Sequence, residues 1–385
     1  MIVHIITRLA MGGAQVIVYE IAKRRHKFNK DIIIFTGLSD KVRSLSAQDN
    51  KILEIIKKDK IPVEIIPSLN DKISLISDIK SFINIYLLLK KYKPSIVHIH
   101  STKTGILGRL ACKLLNLRKV IFHVHGWVFS RSIGFSSNIF FWLEKFFYFL
   151  TTNYIFVCKQ DMIDFINRGG HFQINIKSHI IYPGINCFEQ DKLIRFRNEL
   201  RNKLGFTDSD HVVGTIGRMD YQKNPQIFVE IASNYYHIDS DAKFLWIGEG
   251  VYRNDIKRQI ENYGLSKKFK LPGYIHEIDP YFFVFDTFVI TSRYEGLPIT
   301  ALKALACGIH VVGFNVNGMN DLSDKFSSVY GVKPFKVQEF VSQLANAKIM
   351  MKKGVRITNK DAEYVKKYFN LDLMYENIMK VYDSI

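Results

Sequence analysis

The sequence predicts an α/β protein built from two doubly wound domains in series. Short runs rich in β-branched residues alternate with longer segments of helical period, and this alternation restarts near residue 190. Continuous apolar strands separated by helices are typical of buried parallel sheets made from βαβ units. The length of 385 residues is also too great for one ordinary core, and it suits two domains of ~150–200 residues each.

The first predicted domain covers residues 1–190. Its strand candidates, in chain order, are IVHIIT, DIIIFTG, VEIIPS, SIVHIH, KVIFHVH, NYIFVC and HIIYPGIN. The segments of helical period between them include GGAQVIVYEIAKRRHK, residues 74–92, TGILGRLACKLLN and DMIDFINR. Because the strands are nearly continuous apolar runs, helices are expected to cover both faces of this sheet.

The second predicted domain covers residues 191–365 and repeats the pattern. Its strand candidates are HVVGTIGR, KFLWIGEG, KFKLPGY, DTFVITS and IHVVGF, and its helix candidates include NPQIFVEIASNYY and LPITALKALACG. Residues 366–385 are predicted to form a C-terminal helix that packs back on the first domain. Ligands of open parallel sheets bind beyond the carboxyl ends of the strands, so a site in a cleft between the two sheets is predicted.

The net charge of +18 is concentrated in the first domain. Residues 1–190 contain 27 Lys and Arg against 13 Asp and Glu, which gives +14, whereas residues 191–385 contain 27 against 23, which gives +4. Such a field favours an anionic partner, such as nucleic acid, anionic lipid headgroups or a phosphorylated acceptor. A lysine-rich solvated surface is the alternative explanation.

The cysteines and the hydropathy exclude several classes of protein. The four cysteines form no CxxC pair, which argues against a zinc site or a disulfide framework and fits a reducing cytoplasm. The N-terminal stretch MIVHIITRLAMGG has no basic segment before its apolar run, so a first strand is predicted there rather than a signal peptide. Uncharged apolar runs of ~18 residues do not occur, and no transmembrane helix is predicted.

Three candidate ligand-binding features lie at predicted strand ends in the second domain. Arg218 and Lys223 flank a loop before a helix, which suits a diphosphate because cations and helix N–H groups bind its oxygens; ordinary surface cations are the alternative. Glu295 precedes a helix that begins near Pro298, where its carboxylate can accept hydrogen bonds from sugar hydroxyls or can cap the helix. Gly248 permits either close approach of a ligand or a tight turn.

Two further candidates lie in the first domain. Gly12 and Gly13 form a candidate phosphate loop, but the GxGxxG pattern and the acidic residue of a nicotinamide site are missing. His125 ends a strand, where its imidazole can act as a hydrogen-bond partner in the cleft. His123 alternates onto the same face, but two histidines are no metal site without a third ligand, so no metal and no other cofactor is predicted.

Six stretches together resemble the retaining GT-B glycosyltransferases of family 4, particularly those that build bacterial capsule, exopolysaccharide and O-antigen repeats. The resemblance covers nearly the whole chain, and its specificity comes from the order and spacing of the stretches. They are MGGAQ, VHIHSTKTGILGRLACKLLNLRKVIFHVHGW, YPGIN, GTIGRMDYQKNP, WIGEG and SRYEGLPITALKALACG.

The resemblance implies a fold, a reaction and roles for the candidate residues. The fold is GT-B, and the reaction is retaining, metal-independent transfer from a nucleotide diphosphate-sugar, by family frequency a UDP-sugar. Arg218 and Lys223 would bind and stabilise the leaving diphosphate, Glu295 would contact the donor sugar, and His125 would face the reacting sugar. The implied donor-binding set is Gly12, Gly13, Gly217, Arg218, Lys223, Gly248, Gly273, Glu295, Gly296, Leu297, Pro298 and Lys303.

Lys303 departs from the family motif, which has two glutamates eight positions apart, the second contacting ribose hydroxyls. An ammonium donates hydrogen bonds and cannot accept them. Lys303 therefore leaves three alternatives: ribose binding with altered geometry, a side chain that points away while backbone holds the donor, or loss of donor binding. The last alternative would make the chain a non-catalytic GT-B partner subunit.

The acceptor is predicted to be an undecaprenyl-pyrophosphate-linked saccharide. Lys103 and Arg109 are its predicted contacts. SSNIFFWLEKFFYFL (136–150) has seven aromatic residues in fifteen, which suits either a membrane interface or the core. With the basic first domain, the interface alternative predicts a cytoplasmic protein peripheral to the inner face of the cytoplasmic membrane. A nucleic-acid binder, for which no known RNA motif appears, and a nucleotide-sugar epimerase, for which no catalytic carboxylates can be assigned, are the lower-ranked alternatives.

Overall fold

The structure, a computed structural model, describes residues 1–9, 12–37, 46–131, 135–170, 177–186, 193–352 and 360–385. It divides into two compact units. The N-terminal unit comprises Met1–Gly184 together with Leu371–Ile385, and the C-terminal unit comprises Ile185–Asn370. The last helix of the chain thus belongs to the N-terminal unit. The N-terminal unit ends at Gly184, six residues before the predicted limit of 190, and its second segment begins at Leu371, five residues after the predicted start at 366.

Each unit contains one parallel sheet in the part of the chain that the structure describes. In the N-terminal unit the strands are β1 Ile2–Arg8, β2 Ile32–Gly37, β3 Val63–Ile65, β4 Ile96–His100, β5 Val120–Val124, β6 Asn153–Phe156 and β7 Lys177–Ile180, in the order β3-β2-β1-β4-β5-β6-β7. In the C-terminal unit they are β8 His211–Ile216, β9 Ala242–Ile247, β10 Phe269–Gly273, β11 Thr287–Ile290, β12 His310–Phe314 and β13 Val329–Val332, in the order β10-β9-β8-β11-β12-β13.

Helices follow most of the strands. They are α1 Gly13–Lys27, α2 Ser46–Lys58, α3 Leu75–Tyr92, α4 Thr102–Leu114, α5 Val128–Arg131, α6 Phe135–Phe147, α7 Lys159–Asn167, α8 Leu193–Leu204, α9 Pro225–Tyr236, α10 Arg253–Asn262, α11 Ile299–Ala306, α12 Asn317–Lys325, α13 Val337–Lys352, α14 Lys360–Tyr368 and α15 Leu371–Asp383. The doubly wound class is confirmed, because both sheets are parallel and reverse strand order once, beside β1 and beside β8.

The N-terminal sheet is buried on both faces because successive side chains of a strand point to opposite sides. On one face Ile5, Ile99 and Phe122 share a core with residues of α3, α4 and α6. On the other face Ile6 and Ile34 pack with residues of α1 and α2. Fully burying each such side chain contributes ~1.5–3 kcal/mol, so apolar alternation selects this layered arrangement.

Most predicted elements occur where the sequence places them, and one strand of the C-terminal unit was omitted. The strand β13, Val329–Val332, is absent from the sequence prediction. Its middle residues, Tyr330 and Gly331, are only half-buried, and it forms the edge of its sheet. A short edge strand lacks the continuous apolar run that identifies the interior strands.

Candidate active site

Two loops at strand ends of the C-terminal unit are fixed to each other by hydrogen bonds. One loop, residues 217–224, joins β8 to α9, and the other, residues 291–298, joins β11 to α11. The backbone N–H of Arg293 donates to the Gln222 carbonyl at 2.8 Å, and the Thr291 hydroxyl donates to the Lys223 carbonyl at 3.1 Å. Because β8 and β11 are neighbouring parallel strands, their carboxyl ends bring these loops together.

Lys223 and Glu295 form an ion pair between the two loops. The Lys223 Nζ lies 2.6 Å from the Glu295 Oε1, and the Glu295 side chain is 7% exposed. The helix α11, which begins at Ile299 after Pro298, has no side-chain cap. The alternative that Glu295 serves as a helix cap is therefore wrong; its carboxylate is held by a cation beside the strand ends.

Arg218 lies on the same loop as Lys223. Its Nη2 lies 3.1 Å from an Asp220 carboxylate oxygen and donates to the Gln222 side-chain oxygen at 3.0 Å. About a third of the Arg218 side chain remains exposed, so the guanidinium can still reach an incoming anion. The first turn of α9, preceded by Asn224 in a left-handed conformation, adds unpaired N–H groups near the two cations.

The glycines at the strand ends of the C-terminal unit have a packing role. Gly248 has φ 141°, and a Cβ there would lie 2.0 Å from the Gly217 carbonyl oxygen. A Cβ on Gly250 would lie 2.3 Å from the Met219 carbonyl oxygen. Gly273, with φ 86°, accepts the Gly248 N–H at its carbonyl at 2.8 Å. These glycines let the loops after β8, β9 and β10 contact one another through backbone, which favours the tight-turn explanation for Gly248.

One glycine of this site escaped the sequence analysis. A Cβ on Gly318 of α12 would lie 1.8 Å from the Gly296 carbonyl oxygen and 2.7 Å from the Leu297 Cα. Gly318 thus permits α12 to pack directly against the backbone that follows Glu295. The signal in the sequence was a lone glycine after a predicted strand, which is too common to identify a site.

In the N-terminal unit, α1 begins at Gly13 directly after the extended residue Gly12. The φ of Gly12 is −175°, which any residue adopts, and the first turn of α1 has no acidic residue. A helix N-terminus of this kind suits an anion, and the phosphate-loop role of Gly12 and Gly13 stays a prediction. Residues 10–11, of which the second is the first residue of MGGAQ, lie outside the described residues.

His125 follows β5 and is half-buried, and it belongs to a larger group of histidines. His4 of β1, His98 and His100 of β4 and His123 of β5 are all buried on the same side of the sheet. The His125 Nε2 lies 2.9 Å from the His100 Nδ1. The sequence analysis considered only His123 and His125, although the alternation in VHIH already indicated two more histidines on one face.

The third ligand that a metal site would need is therefore present. Ligand nitrogens of His100, His123 and His125 lie within 4.8 Å of one another, as do those of His4, His98 and His100. Burial is the main cause that lowers the pKa of His98, His100 and His123 well below the usual histidine value, so these rings are neutral. The absence of a metal requirement stays a prediction.

The comparisons with known proteins agree with this geometry. Residues 11–188 match the family description "Glycosyltransferase Family 4", and residues 196–362 match "Glycosyl transferases group 1". The UDP-Gal:alpha-D-GlcNAc-diphosphoundecaprenol alpha-1,3-galactosyltransferase of Escherichia coli is 32% identical over 293 residues, which are 74% of each chain. The chain belongs to glycosyltransferase family 4.

Other relatives extend the likeness to the full length of this family 4 glycosyltransferase. The capsular polysaccharide biosynthesis glycosyltransferase CapM of Staphylococcus aureus is 24% identical over 93% of this chain and 91% of its own. The crystal structure of Anabaena HepE in complex with UDP and glucose has a TM-score of 0.80 at 17% identity, covering 100% of this chain and 99% of that chain. The fold is therefore GT-B, as the resemblance implied.

The assignment of Arg109 to the acceptor is wrong for this glycosyltransferase. Its side chain is 0% exposed, and its Nη1 and Nη2 lie 2.7 and 2.8 Å from the two carboxylate oxygens of Glu144. The Tyr154 hydroxyl donates to the same carboxylate at 2.7 Å. Arg109 thus joins α4 to α6 inside the unit and cannot reach a ligand. Local patterns in the sequence do not indicate this pairing because 35 residues separate its partners.

Lys103 and Lys303, two further predicted contacts, already have acidic partners. The Lys103 Nζ lies 2.6 Å from an Asp78 oxygen. The Lys303 ammonium donates to Asp279, and its side chain is 17% exposed. The structure shows Lys303 held by Asp279, and the three alternatives for its relation to the donor stay predictions.

An exposed apolar face lies on three neighbouring helices of the N-terminal unit. The helix α4 packs against α3 and against the turn Tyr148–Leu150 that follows α6. The exposed apolar side chains on these elements are Leu75, Ile76, Ile79, Ile83, Leu87, Leu110, Leu114, Ile139, Trp142, Phe146 and Phe149. We call them the apolar face. The opposite side of α6 is core, since Phe141 and Phe147 are buried, so the core alternative holds for that side and the membrane-interface alternative stays a prediction.

The apolar face is basic at its edges and lacks unpaired acids. The sequences of α3, α4 and α6 contain two carboxylates, Asp78 and Glu144, and each is held in an ion pair within the unit. Lys80, Lys90 and Lys113 are exposed on the same helices. Among the helices that the structure describes, none has the length and apolar character needed to span a membrane.

Proposed function

We propose that this family 4 glycosyltransferase moves a sugar from a UDP-sugar to a lipid-diphosphate-linked saccharide, with retention of anomeric configuration and without a metal. The observation that carries the proposal is the Lys223–Glu295 ion pair beside Arg218. Two cations and a buried carboxylate at adjacent strand ends suit a donor that has a diphosphate at one end and sugar hydroxyls at the other. The activity in the name of the Escherichia coli relative supports the UDP carrier and the diphosphoundecaprenol-linked acceptor.

In this mechanism the bond between the sugar C1 and the diphosphate oxygen breaks as the acceptor oxygen bonds to C1. The acceptor attacks the face that the diphosphate leaves, and the acceptor proton passes to a diphosphate oxygen. Arg218 and Lys223 stabilise the negative charge that develops on the diphosphate, which replaces the role a metal would have. Glu295 accepts hydrogen bonds from hydroxyls of the transferred sugar, and His125 is proposed to hydrogen-bond to that sugar.

Ligand-induced thermal stabilisation tests donor binding. A matching nucleotide-sugar at a hundredfold excess over its dissociation constant should stabilise the protein by ~2.7 kcal/mol. Glu295→Ala should reduce the stabilisation by UDP-sugar more than that by UDP, because it removes the contacts to the sugar, although it also releases Lys223 from its ion pair. Asp255→Ala, which removes an exposed ion pair with Arg258, is the matched control and should retain the full shift.

The outcome of this test also decides between the enzyme and the non-catalytic subunit. Stabilisation followed by formation of an α-linked product from an α-linked donor, with EDTA present, would support retention without a metal. Proton NMR of the product reports the anomeric configuration. If no nucleotide or nucleotide-sugar shifts the melting temperature, the partner-subunit alternative motivated by Lys303 takes precedence.

We further propose that the apolar face binds the surface of an anionic membrane, where a lipid-linked acceptor would be located. Exposed isoleucine, leucine and aromatic side chains surrounded by lysines provide apolar insertion together with attraction to anionic headgroups. The acceptor role of Lys103 stays a prediction, and its position next to α3 is compatible with an acceptor that approaches from this membrane.

Co-sedimentation with vesicles tests the membrane proposal. The protein should bind vesicles that contain phosphatidylglycerol and bind weakly to vesicles of phosphatidylcholine alone, with binding reduced by salt. Ile79→Ser with Trp142→Ser should abolish binding, whereas Ile238→Ser, at an equally exposed position of the C-terminal unit, should leave it unchanged. Equal binding by all variants would contradict the proposal.

A further inference from the structure

A continuous chain of hydrogen-bonding contacts connects His125 to the C-terminal helix. The His125 Nε2 lies 2.9 Å from the His100 Nδ1, and the His100 Nε2 lies 3.0 Å from the His4 Nδ1. The His4 Nε2 lies 3.1 Å from the hydroxyl of Tyr382 on α15. That hydroxyl also lies 2.6 Å from the His98 Nδ1. Every step of the chain is within ordinary hydrogen-bond distance.

The parallel register of three strands produces this chain. His4 of β1 lies directly opposite His98 of β4, and His100 of β4 lies opposite His123 of β5. Residues two apart on a strand share a face, so His98 and His100 both point to the side where α15 supplies Tyr382. The rings of His98 and His100 stack with centroids 4.4 Å apart.

The histidines that form the buried part of the chain are neutral. Burial, followed by the charge of Arg25, lowers the pKa of His4 to about 3, and burial lowers the pKa of His98 and His100 well below the usual value. Burial also raises the pKa of Tyr382, so its hydroxyl keeps its proton. A neutral imidazole has one N–H donor and one bare nitrogen acceptor.

Neutrality forces the hydrogen bonds between histidines to run in one direction. His4 and His100 each use both ring nitrogens, so each must donate at one nitrogen and accept at the other. If His4 donates to His100, then His100 donates to His125 from its Nδ1, and His4 must accept a hydrogen bond from the Tyr382 hydroxyl. The reverse direction requires His125 to donate from Nε2 and Tyr382 to accept from His4.

The contact between Tyr382 and His98, at the far end of this series of hydrogen bonds, selects between the two directions. The His98 Nε2 is buried and has no hydrogen-bond partner among the described residues. If Tyr382 donated to His98, the single proton of His98 would lie on Nε2 as a buried, unpaired N–H donor. Buried N–H groups without a partner are rare in proteins because the lost hydrogen bond costs ~1–3 kcal/mol. The opposite direction places the His98 proton on Nδ1, where it is donated to Tyr382.

We propose that Tyr382 fixes the tautomer of His125 through His4 and His100, so that His125 accepts at Nε2 and carries its proton at Nδ1. The inference rests on the proposed function for its catalytic meaning. With the proton at Nδ1, His125 can act only as a hydrogen-bond donor, and not as an acceptor, at that nitrogen. Tyr382, His4 and His100 act through His125 and are therefore positioning residues.

The direct test is nitrogen-15 NMR of the full-length protein labelled at its histidine rings. The His125 signals are assigned by their loss in His125→Gln. In the unaltered protein the protonated nitrogen of His125 should be Nδ1. In Tyr382→Phe, His4 loses its donor, the direction of the chain is no longer fixed, and a measurable fraction of His125 should carry its proton at Nε2.

Tyr154→Phe is the matched control for this test. It also removes one buried hydroxyl of the N-terminal unit, which donates to Glu144, but Tyr154 makes none of the four contacts of the chain. The tautomer of His125 should be unchanged in this variant. The proposal is overturned if Tyr382→Phe leaves the tautomer unchanged, or if the unaltered protein carries the His125 proton at Nε2. It is also overturned if the purified protein holds one equivalent of a transition metal on these histidines.

Kinetics give a second readout that separates this inference from the proposed function. Loss of the fixed tautomer should lower kcat by about five- to tenfold, the effect of one hydrogen bond, while Tyr154→Phe leaves kcat nearly unchanged. An unchanged kcat in Tyr382→Phe would contradict the positioning role. If the unaltered protein transfers no sugar, the proposed function fails, whereas the NMR comparison still decides the tautomer because it needs no substrate.

Discussion

The two units of the chain share one architecture but differ in what they bury and what they expose. The N-terminal unit buries four neutral histidines and the Arg109–Glu144 ion pair, and it exposes the apolar face. The C-terminal unit packs its sheet with aromatic side chains such as Phe228, Phe244 and Trp246. It exposes no comparable set of apolar side chains on neighbouring helices within the described residues.

This difference shows that the same fold can carry its polar side chains either on the loops at the strand ends or within the sheet. In the C-terminal unit the polar groups that carry the proposed chemistry lie on loops at the strand ends, as is usual for parallel sheets. In the N-terminal unit polar groups also lie within the sheet, where His4 contacts His100 and Tyr382, and His98 contacts Tyr382. The basic charge of the N-terminal half follows the same division, and under the membrane proposal its lysines would be attracted to anionic lipid.

The largest expected effect concerns the buried ion pair of the N-terminal unit. Arg109→Met leaves the Glu144 carboxylate buried without its cation and should destabilise that unit by ~3–5 kcal/mol. Lys145→Met, on the same helix but outside the pair, should change stability little. The free energies of unfolding of both variants are measured by urea unfolding that is followed through hydrogen exchange of β5 and β6. A destabilisation of Arg109→Met no larger than that of Lys145→Met would show that the pair does not hold α4 to α6.

Lowering the pH should destabilise the N-terminal unit before the C-terminal unit. A histidine whose pKa is lowered in the fold binds fewer protons than in the unfolded chain, so stability falls as pH drops below the unfolded value of ~6.5. Each such histidine lowers the free energy of unfolding by ~1.4 kcal/mol per pH unit in that range. The N-terminal unit contains four of them, His4, His98, His100 and His123. The N-terminal unit should therefore lose stability between about pH 6.5 and pH 5.

The C-terminal unit should respond only in stronger acid. Burial alone would raise the pKa of Asp239, but hydrogen bonds from His211 and Lys348 lower it well below the usual range. A lowered carboxyl pKa contributes stability above the unfolded value of ~3.9, which is lost as pH falls below it. Hydrogen exchange of β4 and of β9, followed as the pH is lowered, shows which of the two units loses stability first. Loss of protection in β9 before β4 would sink the prediction.

The smallest expected effect concerns Lys303. Its ammonium is already paired with Asp279, so Lys303→Ala should change the dissociation constant of UDP by no more than about threefold, and stability by ~1 kcal/mol or less. Isothermal titration with UDP measures the affinity, with Asp279→Asn as the partner variant. A tenfold weakening in Lys303→Ala alone would indicate that the ammonium contacts the nucleotide after all.

The sequence predicted the doubly wound fold and the cluster at the C-terminal strand ends because both depend on local patterns. Apolar runs of strand length identify interior strands, and residues that directly follow two neighbouring strands must lie close together. Lys223 and Glu295 are 72 residues apart, yet each follows its strand, so their meeting follows from topology. The edge strand β13 was missed because a half-buried strand lacks such a run.

Residue type and spacing alone determined that this chain is a two-unit α/β protein with family 4 motifs at defined strand ends. The tertiary structure decided which cations are free to act: Arg109 is committed to Glu144, Lys303 to Asp279, and Arg218 remains partly exposed. It also decided that five histidines from three strands and one tyrosine from the last helix lie together. These partners meet only when side chains from distant segments are packed, and their distances depend on register and helix docking, which local spacing does not encode.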